Sequence, residues 1–213
     1  MKKILSIDDH GIITGGLEKL TQKSDTEMSV GSAKNFTEAL RMLKKESWDL
    51  IILDISLKGK SGLDVLKEIK SLYPKIPVLM FSLHNNIEFV RRSLKLGASG
   101  YVTKDSPEEE VSEAINKVLA KGHYISKDVA ENLIFTPEST THGELSGREF
   151  EILVKVGEGK NVREIADELH LSENTIETYR ARIKEKMNMK RDAELIRYCV
   201  AAKLVNVEIP NAG

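Results

Sequence analysis

A doubly wound parallel α/β sheet of five strands, followed by a small all-α domain, is the fold class that this sequence predicts. Three observations carry it. Short runs rich in apolar residues recur along the first half: Ile4-Leu5-Ser6-Ile7, Leu50-Ile51-Ile52-Leu53, Val78-Leu79-Met80-Phe81 and Gly100-Tyr101-Val102-Thr103. Amphipathic helical stretches separate them, the pattern of parallel strands covered on both faces. After about residue 143 the strand signal disappears and only helical periodicity remains.

Strands are expected near 3–8, 27–31, 49–54, 77–82 and 100–103, and helices near 11–23, 35–47, 62–72, 86–96 and 107–121. Local signals support these bounds. Asn35 can cap the second helix, Pro74 and Pro77 bracket the loop before the fourth strand, and Ser106-Pro107 opens the fifth helix. Gly97 ends the fourth helix. Glu108-Glu109-Glu110 falls in the first turn of the fifth, where negative charge suits the helix dipole. Residues 124–143 read as a linker. A short helix is possible from Tyr124 to Phe135, followed by the polar stretch Thr136-Pro137-Glu138-Ser139-Thr140-Thr141-His142-Gly143. Helices near 146–157, 161–169, 172–188 and 191–203 follow. Ser146 with Glu149 forms a capping box, and Ser172 caps the third helix of the group. The very short turn at His170-Leu171 gives helix-turn-helix spacing.

The polar residues that end the apolar runs point to chemistry. Asp8 and Asp9 end the Ile4–Ile7 run, Asp54 ends Leu50–Leu53, Ser82 ends Val78–Phe81, and Lys104 follows Gly100–Thr103. In a parallel sheet the carboxyl ends of the strands share one rim, where ligands bind. Carboxylates, a hydroxyl and an ammonium should therefore converge. Clustered carboxylates repel unless a cation intervenes, and hard oxygen ligands suit Mg²⁺, which keeps waters and takes phosphate oxygens. Lys and Ser supply donors for phosphoryl oxygens. The expected chemistry is metal-assisted phosphoryl transfer with one Asp as acceptor.

Composition bounds the alternatives. With 213 residues, 40% hydrophobic and 31% charged, the chain fits two small soluble globular domains. A net charge of −1 makes any nucleic-acid surface local. The single Cys, Cys199, excludes an internal disulfide framework and reads as a small buried hydrophobe. No run reaches transmembrane length, and the N-terminus does not read as a signal peptide, so a cytoplasmic protein without membrane partners is expected.

The third C-terminal helix has an apolar stripe, Ile176, Tyr179, Ile183 and Met187, opposite Asn174, Glu177, Thr178, Ala181, Arg182 and Glu185. Such a helix, docked on one side and basic-leaning on the other, fits equally an ordinary bundle with a charged outer face and the major groove of double-stranded DNA. Lys160, Asn174, Thr175, Glu177, Thr178, Ala181, Arg182 and Lys184 are the candidate contacts. The last helix offers Leu195, Ile196, Cys199 and Val200 as a candidate dimer surface.

The first 123 residues resemble the receiver domain of two-component response regulators, through Asp8-Asp9-His10, IILDISLKGKSGLDVL, VLMFSLH and Gly100-Tyr101-Val102-Thr103-Lys104-Asp105. The resemblance implies a flavodoxin-like sheet. It makes Asp54 the phosphoacceptor and assigns Mg²⁺ to Asp8, Asp9, Asp54 and the Ser56 main-chain oxygen. Ser82 and Lys104 would bind the phosphoryl group, and Tyr101 would be the aromatic switch. Residues 144–205, within a domain set at 144–208, resemble the LuxR-type helix-turn-helix, through Leu145-Ser146, Arg148-Glu149, Glu158-Gly159-Lys160, Glu164-Ile165-Ala166, Leu171-Ser172 and Thr175-Ile176. Together they imply a NarL/FixJ-type transcription regulator rather than an enzyme. A histidine kinase would phosphorylate it, Ser82 and Tyr101 would be drawn inward, and a DNA-competent homodimer would be favoured. The chain departs from the receiver pattern after the acceptor, with Leu57-Lys58 where Met-Pro is common. It departs from the LuxR-type pattern at Asn161-Val162-Arg163, Glu177 and Tyr179. A phosphatase using an Asp nucleophile would need a second Asp where Ser56 stands. A flavodoxin would need a Ser/Thr/Gly-rich loop where Asp8-Asp9-His10-Gly11 stands.

Overall fold

A computed structural model describes residues 1–9, 27–84, 86–126, 129, 130, 133 and 142–205. The chain divides into two compact units, Met1–Thr136 and Pro137–Gly213. The helix expected over 11–23 and most of the linker lie outside the described residues.

In the first unit strands and helices alternate: β1 (Lys2–Ile7), β2 (Met28–Ala33), α1 (Phe36–Lys45), β3 (Leu50–Leu53), α2 (Gly62–Leu72), β4 (Val78–Ser82), α3 (Ile87–Lys95), β5 (Gly100–Thr103), α4 (Glu108–Leu119) and β6 (Tyr124–Ile125). The sheet runs β2-β1-β3-β4-β5-β6 with every pairing parallel. It has six strands, not the expected five. Tyr124 and Ile125 pair with Gly100 and Tyr101 instead of opening a helix or the linker. Gly100 permits this pairing, since a Cβ there would lie 2.6 Å from the Tyr124 carbonyl oxygen.

Both faces of the sheet are buried, which is why the strands read as apolar runs and not as alternation. On one face Ile4, Leu50, Ile52, Leu79 and Val102 pack with Val111, Ala114, Ile115 and Val118 of α4 and with Tyr124. The alternate residues Leu5, Ile7, Ile51 and Leu53 are equally inaccessible. Each such aliphatic side chain contributes about 1.5–3 kcal/mol relative to exposure. The expected Asn35 cap forms, with its side chain accepting from the Glu38 amide.

The second unit holds α5 (Gly147–Gly157), α6 (Val162–Leu169), α7 (Glu173–Lys186) and α8 (Asp192–Ala201). The Ser146–Glu149 capping box is present, and Asn161 with Glu164 makes a second on α6. His170 ends α6 in the left-handed region at φ 52°, which turns the chain into α7 within three residues. Phe150, Leu153, Ile165, Leu169, Ile176, Ile183, Leu195 and Cys199 are buried. Gly157 lets α8 close on α5, because a Cβ there would lie 2.5 Å from the Cys199 Cβ. Cys199 donates to the Leu153 carbonyl at 3.5 Å, and burial pushes its thiol up to about 12.

Candidate functional site

The order β2-β1-β3 reverses direction at β1, so a crevice opens between the carboxyl ends of β1 and β3. Register then fixes the chemistry. Ile7 pairs with Leu53, which puts Asp8 and Asp54, one residue beyond each, side by side. The Asp54 amide donates to the Ile7 carbonyl at 3.1 Å, and the Asp8 amide to Ala33 at 3.0 Å. Ser82 pairs with Thr103, so Lys104 emerges one residue past it, its amide donating to the Ser82 carbonyl at 2.9 Å.

Carboxylate oxygens of Asp8, Asp9 and Asp54 all lie within 4.8 Å of one another. Lys104 bridges two of them, its Nζ donating to Asp8 Oδ2 and to Asp54 Oδ2 at 2.7 Å each. The other Asp54 oxygen accepts from the Ile55 amide at 2.6 Å and, at a longer 3.4 Å, from the Ser56 amide. Asp54 is nearly inaccessible. Burial pushes its carboxyl above the usual carboxylate range, Lys104 pulls it back, and the neighbouring Asp8 charge adds to the rise. Buried hard oxygens with one of their number raised fit a divalent cation, which would offset that burial and repulsion.

The loop after Asp54 is held by close backbone approach. The Gly62 amide donates to the Ile55 carbonyl at 2.6 Å, and a Cβ on Gly62 would sit 1.9 Å from the Asp54 carbonyl oxygen. Only glycine lets α2 begin so close to the end of β3.

Ser82 is fully buried, its Oγ accepting weakly from the His84 amide at 3.4 Å. His84 Nε2 is 2.9 Å from Ser56 Oγ, and its ring stacks on Phe89 at 4.3 Å between centroids. Tyr101 is fully buried and its hydroxyl donates to the His84 carbonyl. Its phenol is pushed up by burial and by the Asp54 charge, against a hydrogen bond with Ser82. Tyr101 thus stands in the inward position expected of the switch residue. The His84 carbonyl supplies the partner that a buried hydroxyl requires.

In the second unit α7 presents the expected outer face. Asn174, Glu177, Thr178, Ala181 and Arg182 are exposed, while Thr175 and Lys184 are half-buried. The Thr175 hydroxyl is 2.7 Å from the Ser172 hydroxyl, inside the cap. Glu177 pairs with Arg180 at 3.0 Å, and Arg180 also pairs with Asp192. Lys184 is 3.2 Å from Asp192, and Lys186 is 2.6 Å from Glu149. Lys160 is 2.6 Å from Glu168 and 3.1 Å from Glu158. Burial draws its ammonium down, but those two carboxylates outweigh this and leave it raised. Arg182 has no ion-pair partner among the described residues. Of the apolar stripe, Ile176, Ile183 and Met187 are buried and Tyr179 is half-buried.

The candidate dimer surface splits. Leu195 and Cys199 are fully buried, whereas Ile196 and Val200 are among the exposed large apolar residues, 37% and 41% accessible. Sequence reading passed over Asn161, whose spacing to Glu164 is that of the Ser146–Glu149 box. It also missed His84, which no local pattern marks.

Comparison with known proteins matches this geometry. Residues 4–116 match the family described as response regulator receiver domain, and residues 143–199 match the bacterial regulatory proteins of the luxR family. The response regulator UvrY of Escherichia coli is 28% identical over 98% of this chain and 98% of its own. The response regulator GacA of Pseudomonas aeruginosa is 30% identical over 97% and 99%, and the transcriptional activator protein ExaE of Pseudomonas putida 31% over 96% and 98%. Among solved structures, the RcsB response regulator of Salmonella typhimurium superposes with a TM-score of 0.60, covering 94% of this chain and 98% of that one. At 24% identity it speaks for the fold alone. A receiver-like unit with its acidic rim, joined to a helix-turn-helix unit along one chain, is thus matched in both halves: the chain belongs to the two-component response regulators of the NarL/FixJ type.

Proposed function

We propose that Asp54 accepts a phosphoryl group from a sensor histidine kinase and that this modification controls the DNA binding of the second unit. The observation that carries the reading is the Lys104 ammonium, 2.7 Å from both Asp8 and Asp54 inside a three-carboxylate pocket. An Asp54 oxygen attacks phosphorus as the phosphorus–nitrogen bond of the phosphohistidine breaks, and the imidazole leaves with the electron pair. Lys104 turns from Asp54 to the new phosphoryl oxygens, and the Ser82 hydroxyl donates to another. Asp8, Asp9, Asp54 and the Ser56 main-chain oxygen would hold Mg²⁺. When bound, the ion neutralises charge on the transferring group.

The acyl phosphate adds negative charge beside Ser82 and the Tyr101–His84 bond. The phosphoryl group pulls the segment Ser82-Leu83-His84 through Ser82 against the His84–Ser56 bond, and holds Ser82 and Tyr101 inward. Phosphorylation then favours a DNA-competent homodimer. Residues 1–123 form the receiver, 124–143 the linker, with its first two residues in the sheet, and 144–208 the DNA-binding domain. The outer face of α7, from Asn174 to Lys184, enters the major groove, and Lys160 supplies a further contact. No helix among the described residues is long and apolar enough to cross a membrane. A cytoplasmic regulator acting on chromosomal DNA agrees with that.

Incubating the full chain with Mg²⁺ and acetyl phosphate tests the reading. One phosphoryl group should appear, and none in Asp54→Asn. Labelling of equal acid and base lability in that variant would refute the assignment. Genome-wide mapping of bound DNA with and without phosphorylation tests the second half.

A further inference from the structure

The loop after the acceptor carries two lysines whose side chains part company. Lys60 pairs with Glu68 on α2 and lies 5.0 Å from the centroid of the Phe36 ring. Lys58 turns the other way. Its Nζ stands 3.8 Å from Asp9 Oδ2, with 53% of its side chain accessible, whereas the Asp9 side chain is only 4% accessible. Gly59, between them, takes a φ of 84°. That left-handed turn lets the residues on either side of it diverge.

Among the described residues, the pocket is therefore served by two ammonium groups of different kinds. Lys104 is buried and bonded at 2.7 Å to Asp8 and Asp54. Lys58 approaches the third carboxylate from solvent, at a distance too long for a hydrogen bond. A long, half-solvated ion pair of this sort contributes little to stability. Its position nevertheless matters to anything else that comes to Asp9. An ammonium is a compact point charge on a flexible stem, so it can neutralise a carboxylate without fixed geometry and leave without breaking packing.

We infer that Lys58 is a tethered competitor for the divalent cation. It stands against Asp9 when the pocket holds no metal and must withdraw when the ion enters. The inference rests on the reading of Asp8, Asp9 and Asp54 as the Mg²⁺ site. By this means the chain sets its own metal affinity below what three carboxylates alone would give. Repulsion between a dication and a unit charge a few ångströms off, across solvent, corresponds to roughly a three- to tenfold loss of affinity after screening.

Calorimetric titration of the unphosphorylated full chain with Mg²⁺ alone tests this, without reference to phosphoryl transfer. Lys58→Ala should bind Mg²⁺ roughly three- to tenfold more tightly than the parent at low ionic strength, and the gain should shrink at about 0.5 M salt. Lys58→Arg keeps the charge and should stay within about twofold of the parent. The exposed position of Lys58 leaves the fold intact in both variants. Equal or weaker binding by Lys58→Ala would overturn the inference while leaving the metal site standing. Absence of Mg²⁺ binding in every variant would overturn the metal site itself, and the inference with it.

Discussion

Lys104 donates to Asp54 at 2.7 Å, yet the Asp54 carboxyl remains raised, because burial outweighs the one cation it shares with Asp8. This sets the sign of the pH dependence. A carboxyl raised in the fold holds its proton more tightly than in the unfolded chain. The penalty for ionising it is absent below about pH 4, where both states are protonated, and grows as pH rises towards the folded value. Without Mg²⁺, Asp54→Asn should therefore melt higher than the parent at pH 7, and the difference should close on acidification. Thermal melts at several pH values would read it. A variant less stable at pH 7 would show that the ion pair with Lys104 outweighs burial.

Gly62 is the second point of leverage on the acceptor. Its missing side chain would press on the Asp54 carbonyl oxygen, a backbone atom that cannot rotate aside. Gly62→Ala should cost about 1–3 kcal/mol, the usual penalty of overpacking. It should also slow phosphorylation by acetyl phosphate, because the Ile55–Ser56 amides that hold Asp54 must shift. Denaturant melts and labelling rates check both. Unchanged values in the two assays would mean that the start of α2 moves freely.

On the last helix, inner and outer residues should behave differently. Leu195→Ala removes a fully buried side chain and should cost about 2–5 kcal/mol. Val200→Asp alters an exposed position and should leave the fold intact while weakening dimers of the phosphorylated protein. Sedimentation of the phosphorylated variant decides the point, and dimers as tight as the parent's would remove α8 from the interface.

The outer face of α7 offers a contrast between neighbours. Glu177 is exposed, and its 3.0 Å pair with Arg180 occupies one carboxylate oxygen, so the other is available to accept from a cytosine amino group. Glu177→Ala should relax preference at one base position, by roughly 1–3 kcal/mol of discrimination. Arg182→Ala should weaken binding to all sequences alike and lower the salt slope by about one. Lys184 is held by Asp192, so Lys184→Ala should do less than Arg182→Ala. Binding-site selection and salt titrations separate these outcomes.

The acidic rim was legible because a parallel strand writes itself as an apolar run, and the residue just past the run must stand at the strand's carboxyl end. Asp8, Asp54, Ser82 and Lys104 needed no more than that. β6 was not legible, since two residues are too few for any period to show. Nor was the partner of the Tyr101 hydroxyl, a carbonyl seventeen residues earlier, or the divergence of Lys58 and Lys60, which a left-handed glycine decides. The split of α8 into buried Leu195 and Cys199 and exposed Ile196 and Val200 depends on how closely Gly157 lets α5 approach.

The sixth strand also governs where the molecule can be cut. β5 carries Tyr101 and leads into Lys104, and the first half of its outer edge, Gly100 and Tyr101, is paired with Tyr124 and Ile125. A fragment ended at residue 123 would bare those amides and carbonyls along a nearly all-apolar strand, the arrangement that invites pairing with a second chain. A fragment carried past Ile125 keeps Gly100 and Tyr101 paired. For this protein, two residues of β6 separate a well-behaved isolated receiver from a sticky one.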